Sequence, residues 1–267
     1  MAAFLDEIKS LPGQDSSDDN HWAGGSLNEA IKLAEQGWPE GMQLASAKAQ
    51  AISTRLVQQL GIITEHELQY DCCGAAFDVG AIVQGVPEAW VRPEPQQVKK
   101  EIRLLTNLSA SSGVGTHALQ TRGIAVAALA LALQAKGHPV TIDVGWECGN
   151  GNAGWGTGIK CPDSDESCYI RVLDANYPVM DMDKVIFAMA HPAMLRRLLF
   201  AESDQNKVCR LRRLNSGRVI EETLPSTSPL ANPSLYMGSA HLEQANRWQD
   251  GGESWIMQEY LKQTQEQ

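Results

Sequence analysis

Glu101-Ile-Arg-Leu-Leu-Thr-Asn107, Leu108-Ser-Ala-Ser-Ser-Gly-Val-Gly115, Thr116 to Lys136 and Pro139-Val-Thr-Ile-Asp-Val-Gly-Trp146 follow one another, with Gly137 and His138 between the last two. They read as strand, polar loop, long helix and strand. That order is a crossover unit, which demands parallel pairing in a covered sheet. The helix shows why the sheet is covered. Ile124 to Leu133 is apolar on every side rather than along one stripe, and such a helix is buried. The apolar run is about ten residues, roughly half a membrane span, and Arg122 and Lys136 bracket it. Thr116 is placed to cap the helix start through its hydroxyl. Gly137 is placed to end it in a left-handed turn behind the cation of Lys136.

Working outward, Phe4, Leu5, Ile8 and Leu11 share one face of a short helix, and the acidic, glycine-bearing segment Pro12 to Gly25 reads as a linker. Residues 1–25 are therefore expected to form a flexible N-terminal arm. Ser26-Leu-Asn-Glu29 has the capping-box pattern, Gly37 closes that helix, and Pro39 opens another that runs to about Leu60. Downstream, Glu147 to Ser167 is a long Gly/Asn loop, and Cys168-Tyr-Ile-Arg-Val-Leu-Asp174 is a third strand. Asp183 to Ala190 is a helix broken at His191-Pro192, and Pro192 begins the next. The expected fold is α/β: a three-layer sandwich with a mostly parallel central sheet, helical N-terminal elements and a β-hairpin near 207–224. One domain is expected over 26–250, with its core at about 98–200, followed by a C-terminal helix over 251–267.

The chain has 267 residues and a formal net charge of −10, with 43% hydrophobic and 20% charged residues. This is a globular composition, and its field repels phosphate backbones, which makes nucleic acid an unlikely partner. The local exception is Arg196-Arg197 with Arg210-Leu-Arg-Arg213. The start, Met1-Ala-Ala-Phe-Leu-Asp-Glu-Ile-Lys9, has acids where a secretory signal carries cations, so the expectation is a cytoplasmic protein without membrane association and with reduced cysteines.

Asn107-Leu-Ser109-Ala-Ser111 stands at the carboxyl end of the first central strand, where open α/β sheets place ligands. Oxygen-bearing side chains at alternate positions can converge on a hard cation such as Mg²⁺, or they can bond local backbone in a polar turn. The order of elements and this loop resemble a von Willebrand factor A-like domain, over roughly residues 98–200. That family carries Asp-x-Ser-x-Ser here as a metal-ion-dependent adhesion site. Ser109 and Ser111 match its serines, while Asn107 replaces its Asp and removes one negative charge. The resemblance implies a further Thr and Asp from later loops, for which Thr157 and Asp174 are the candidates. A site so depleted would hold Mg²⁺ weakly, and no other cofactor is expected.

A broader resemblance covers most of the chain. Trp22-Ala-Gly-Gly-Ser26, Gly37-Trp-Pro-Glu-Gly41, Phe77 to Trp90, Thr121-Arg-Gly-Ile-Ala125 and His191-Pro-Ala-Met-Leu-Arg-Arg197 are similar to a family of uncharacterised proteins carried by bacteriophages and plasmids. It implies a mobile-element origin and no activity.

No complete catalytic set is present, and the chain reads more as a binder than as an enzyme. The cysteines lack the Cys-x2-Cys knuckles of zinc ribbons. Gly113-Val-Gly115 precedes a helix but lacks the rest of a dinucleotide fingerprint. Tryptophans beside Gly or Pro in loops are either interface anchors or pins that hold loops on the core. Trp146, Trp155 and Thr157 are the candidates for contact with a partner. The leading expectation is a non-catalytic interaction module of a phage or mobile element, which binds a bacterial host or phage protein through loops at the carboxyl ends of the strands. The alternatives are an enzyme or binder acting on a nucleotide or phosphate-bearing small molecule, and a virion-associated structural protein.

Overall fold

The computed structural model describes residues 1–11, 20–60, 69–71, 76–77, 79, 83–84, 90–92, 99–111, 113–148, 166–176, 181–205, 233–240, 246–248 and 251–265. It divides into a larger unit, Met1–Ser53 with Glu101–Gln267, and a smaller one, Thr54–Lys100. The chain opens with α1 (Ala2–Ser10), α2 (Asn20–Ala23), α3 (Leu27–Gln36) and α4 (Pro39–Leu60). The capping box of α3 forms: the Ser26 hydroxyl accepts from the Glu29 N–H, and the Glu29 carboxylate accepts from the Ser26 N–H. In the smaller unit, β1 (Gln69–Asp71), β2 (Ala76–Phe77) and β3 (Trp90–Arg92) make an antiparallel sheet in the order β1-β3-β2.

The larger unit continues with β4 (Ile102–Asn107), α5 (Thr116–Ala135), β5 (Val140–Cys148) and β6 (Glu166–Leu173). Then follow α6 (Met182–Ala190), a π-helical turn (Met194–Leu199), α7 (Phe200–Gln205), β7 (Leu235–Met237) and α8 (Glu253–Gln265). The result is a mixed α/β fold with a small, open, mostly parallel sheet of four strands in the order β6-β5-β4-β7. β4 pairs in parallel with β5 from Ile102↔Val140 to Asn107↔Gly145, and in parallel with β7 from Leu104↔Leu235 to Thr106↔Met237. The expected crossover unit is therefore present. β6 runs the other way, with Ile142 opposite Leu173 and Cys148 opposite Glu166. β7 is a fourth strand that sequence reasoning missed; three residues carry too little pattern to stand out.

Alternation puts Leu104, Thr106, Ile142, Val144 and Trp146 on one face of the sheet, and Arg103, Leu105, Asn107, Thr141 and Asp143 on the other. α5 is buried from Arg122 to Ala130 and packs on α6, β5 and α8. The closest approach is at Gly123, where a Cβ would lie 2.3 Å from the Ala190 Cα, so only glycine fits. Gly137 does end α5: at φ +82° it donates to the Gln134 carbonyl, and His138 donates to Leu133. The start of α5 differs from expectation. Its N-cap is Gly115, and the Thr116 hydroxyl instead donates to the carbonyls of His21 and Trp22.

For the described residues, 1–11 and 20–25, those bonds and the helix α1 correct the reading of 1–25 as a flexible arm. Residues 2–10 are helical, with Leu5 and Ile8 buried, and Lys9 pairs with Glu35. Residues 20–25 are held through their own carbonyls. Arg196 donates to the Trp22 and Val114 carbonyls and lies 4.1 Å over the Trp22 ring. Arg197 donates to the Gly25 carbonyl at 2.7 Å and to Asn20 Oδ1 at 2.8 Å. The π-turn buries both arginines, at 4% and 7% exposure, so the basic patch expected at Arg196-Arg197 is an internal clamp. The rest of that patch, the hairpin expected over 207–224 and residues 12–19 lie outside the described residues.

Among the described residues one helix, Thr116–Ala135, is long and apolar enough to cross a membrane by length and composition, and it is the buried core helix α5.

Candidate functional site

The carboxyl ends of β4 and β7 carry the loop singled out in the sequence. Asn107 is 2% exposed. Its Oδ1 accepts from the Ser109 N–H at 2.9 Å, and its Nδ2 donates to the Tyr236 hydroxyl at 3.3 Å. The amide thus closes a local turn and crosses to the neighbouring strand, which is the polar-turn alternative. The loop beyond it is itself paired. Ala240 N–H donates to the Ser109 carbonyl at 2.7 Å, and Ser111 N–H to the Ala240 carbonyl at 2.9 Å, around an Ala110↔Ala240 bridge.

Between Thr106↔Met237 and Ala110↔Ala240 the ladder is interrupted, which leaves strand-end carbonyls to be satisfied. Arg122 satisfies them. Its Nη2 reaches the carbonyls of Asn107 (3.2 Å), Met237 (3.4 Å) and Gly238, and its guanidinium sits 5.8 Å from the Trp255 ring centroid. Arg122 is 3% exposed, and burial pushes its pKa down to about 10, so it still carries its charge at neutral pH. A cation supplied by α5 therefore occupies the gap between the two strand ends. Sequence reasoning took Arg122 for a boundary charge. The signal that could have found it is a lone arginine between Leu119 and Gly123, at the end of the helix nearest the loop.

Asp174 does not join this site. Because β6 is antiparallel, its end lies beside the start of β5, where the Ala175 N–H donates to the Thr141 hydroxyl at 3.1 Å. Asp174 accepts from the Asn176 N–H at 2.9 Å and pairs with Arg171 at 3.5 Å; the Asn176 bond is the larger cause of its lowered pKa. Arg171 also holds Asp143 through two bonds of 3.0 and 3.2 Å, directly across the β5–β6 pair. The structure thus brings Asn107 and Ser109 into one turn, sets Ser111 beside Ala240 in the same loop, and puts Asp174 at the opposite end of the sheet. No group of three or more His, Cys, Asp or Glu poised for a metal occurs among the described residues.

Trp146 is 8% exposed, and its indole N–H has no hydrogen-bond partner among the described residues. It is a core side chain, not an exposed anchor. Trp155 and Thr157 lie outside the described residues. Trp38 and Trp248 are likewise buried, at 8% and 2%, so these tryptophans pin segments onto the core. Gln263 of α8 covers the β7 edge: its Oε1 accepts from the Tyr236 N–H at 2.7 Å, and its Nε2 donates to the Tyr236 carbonyl at 2.8 Å.

Residues 1–265 match the family model described as a domain of unknown function (DUF7192). The chain belongs to the DUF7192 family. No curated protein and no solved structure matches it. Within this DUF7192 chain, the distinctive feature of the described site is the buried Arg122 between two parallel strand ends. The β5–β6 hairpin continues past that level: β4 stops at Asn107↔Gly145, while Trp146, Glu147 and Cys148 still pair with Cys168, Ser167 and Glu166.

Proposed function

We propose that this chain is a non-catalytic, metal-independent protein-interaction module with a von Willebrand A-like core, whose partner docks on the carboxyl side of the sheet. One observation carries the reading: the β5–β6 hairpin projects past the last β4 pair on the side where strand ends and loop already satisfy one another. β6 is the terminal strand in the sheet order β6-β5-β4-β7, and a terminal strand is where a second chain can add by backbone pairing. The groups a cation or phosphate would need are otherwise engaged. Asn107 is in its turn, Arg122 bonds carbonyls, and the Thr116 hydroxyl donates to backbone. The strand order, with a crossover unit at its centre and an antiparallel edge strand, supports the von Willebrand A-like resemblance and the three-layer arrangement it implies. The mobile-element origin that the broader resemblance implies would place the partner among host or phage proteins.

The test is site-specific photo-crosslinking in host cells. A crosslinker at Glu147 or Glu166 is expected to capture one discrete protein, and a crosslinker at Asn176 is expected to capture none. Equal capture at both ends, or capture unaffected by replacing residues 149–165 with a short Gly-Ser turn, sinks the proposal.

A further inference from the structure

Beside the Arg122 plug lies a cavity of about 20 Å³, room for a single water-sized species. Among the described residues that line it, two are polar, Arg122 and His191; the others, including Leu108, Leu119, Met189 and Leu195, are apolar, and none is a carboxylate.

Both polar groups present donors. A guanidinium can only donate. Arg122 commits Nη2 to its three carbonyls, and those are its hydrogen bonds among the described residues, so Nε and Nη1 remain to be satisfied. His191 Nδ1 accepts from the Ala193 N–H at 3.3 Å, which puts the proton of the neutral ring on Nε2. The ring itself is fixed, stacked on Phe187 at 5.2 Å and edge-on to Trp38 at 4.9 Å. Whatever lies between two donors must accept from both. The guanidinium adds a formal positive charge that its carbonyl partners meet only as dipoles, and a buried charge with no counter-charge is costly. A neutral water answers the hydrogen bonds but not the charge. A small anion answers both.

We propose that this cavity is a binding site for one monovalent anion of the halide class, held between the Arg122 guanidinium and the His191 Nε2–H. The volume excludes phosphate, sulfate and carboxylates. The apolar lining favours an ion that gives up its hydration readily. The bound anion would lock α5, the end of α6 and the strand ends together, because Arg122 touches the strands and His191 terminates α6.

The experiment is thermal unfolding of the full chain at fixed ionic strength while chloride replaces gluconate. Tm is expected to rise saturably with chloride and with bromide, and to show no saturable component with sulfate, whose general stabilising effect is not site-specific. An equal Tm in chloride and gluconate overturns the proposal. Arg122→Met is expected to abolish the chloride dependence, and a retained dependence also overturns it. His191→Phe keeps the ring stacking and is expected to weaken chloride about tenfold, the effect of one charge-assisted hydrogen bond. Should Arg122→Met fail to fold, wild-type crystals soaked in bromide decide. An anomalous peak between Arg122 and His191 is expected; no peak there means water only and ends the proposal.

Discussion

The two ends of the sheet use the same residue type in opposite ways. At the amino end, Arg171 is 42% exposed and meets the carboxylates of Asp143 and Asp174, whose bonds raise its pKa. At the carboxyl end, Arg122 is 3% exposed and meets carbonyl oxygens, and burial lowers its pKa. The first is an ion pair that water screens. The second is a desolvated charge spread over backbone dipoles, which closes a gap that no side-chain acid among the described residues reaches. One arginine decorates the sheet; the other completes it.

The contrast breaks most visibly if Arg122 is removed. Arg122→Met leaves strand-end carbonyls unsatisfied and is expected to cost about 3–5 kcal/mol in urea unfolding. A loss below about 1 kcal/mol would mean the plug is incidental. Next comes acid. His191 is partly buried and neutral, and that burial lowers its pKa from 6.5 to about 4. The unfolded chain takes up that proton first, so stability is full above pH 6.5 and falls as pH drops from 6.5 to 4, by at most about 3 kcal/mol. In chloride-free buffer, His191→Phe is expected to flatten that slope. At the amino end Asp174, with its lowered pKa, keeps its contribution until the pH falls below the usual carboxylate range. Gly123→Ala drives a methyl into the Ala190 backbone, and calorimetry is expected to show a loss of about 2 kcal/mol. Arg171→Ala, exposed and screened, is expected to cost about 1 kcal/mol or less, and less still at high salt. The smallest effect sharpens the metal question. Asn107→Asp restores the missing charge, yet calorimetric titration with Mg²⁺ is expected to show no heat, because Asp174 is at the far end.

How much of this was legible follows from range. Capping box, helix stop and crossover unit are local, and Ser26-Glu29, Gly137 and the Glu101–Trp146 pattern announced them. The site was half legible. Asn107, Ser109 and Ser111 are neighbours in sequence and were found as one loop. Asp174 was misplaced because a strand's direction is not written in its own residues. Arg196 and Arg197 read as surface charge because burial of an arginine depends on carbonyls that distant segments supply, here Trp22 and Gly25.

The sequence alone determined that the all-apolar helix, the crossover between two parallel strands, must lie buried, since any exposed face of it would put apolar surface in water. Only the tertiary structure decided which groups meet at the strand ends. The break in pairing between β4 and β7, the antiparallel return of β6 and the reach of Arg122 come from segments far apart in the chain, and their hydrogen bonds exist only once those segments are side by side.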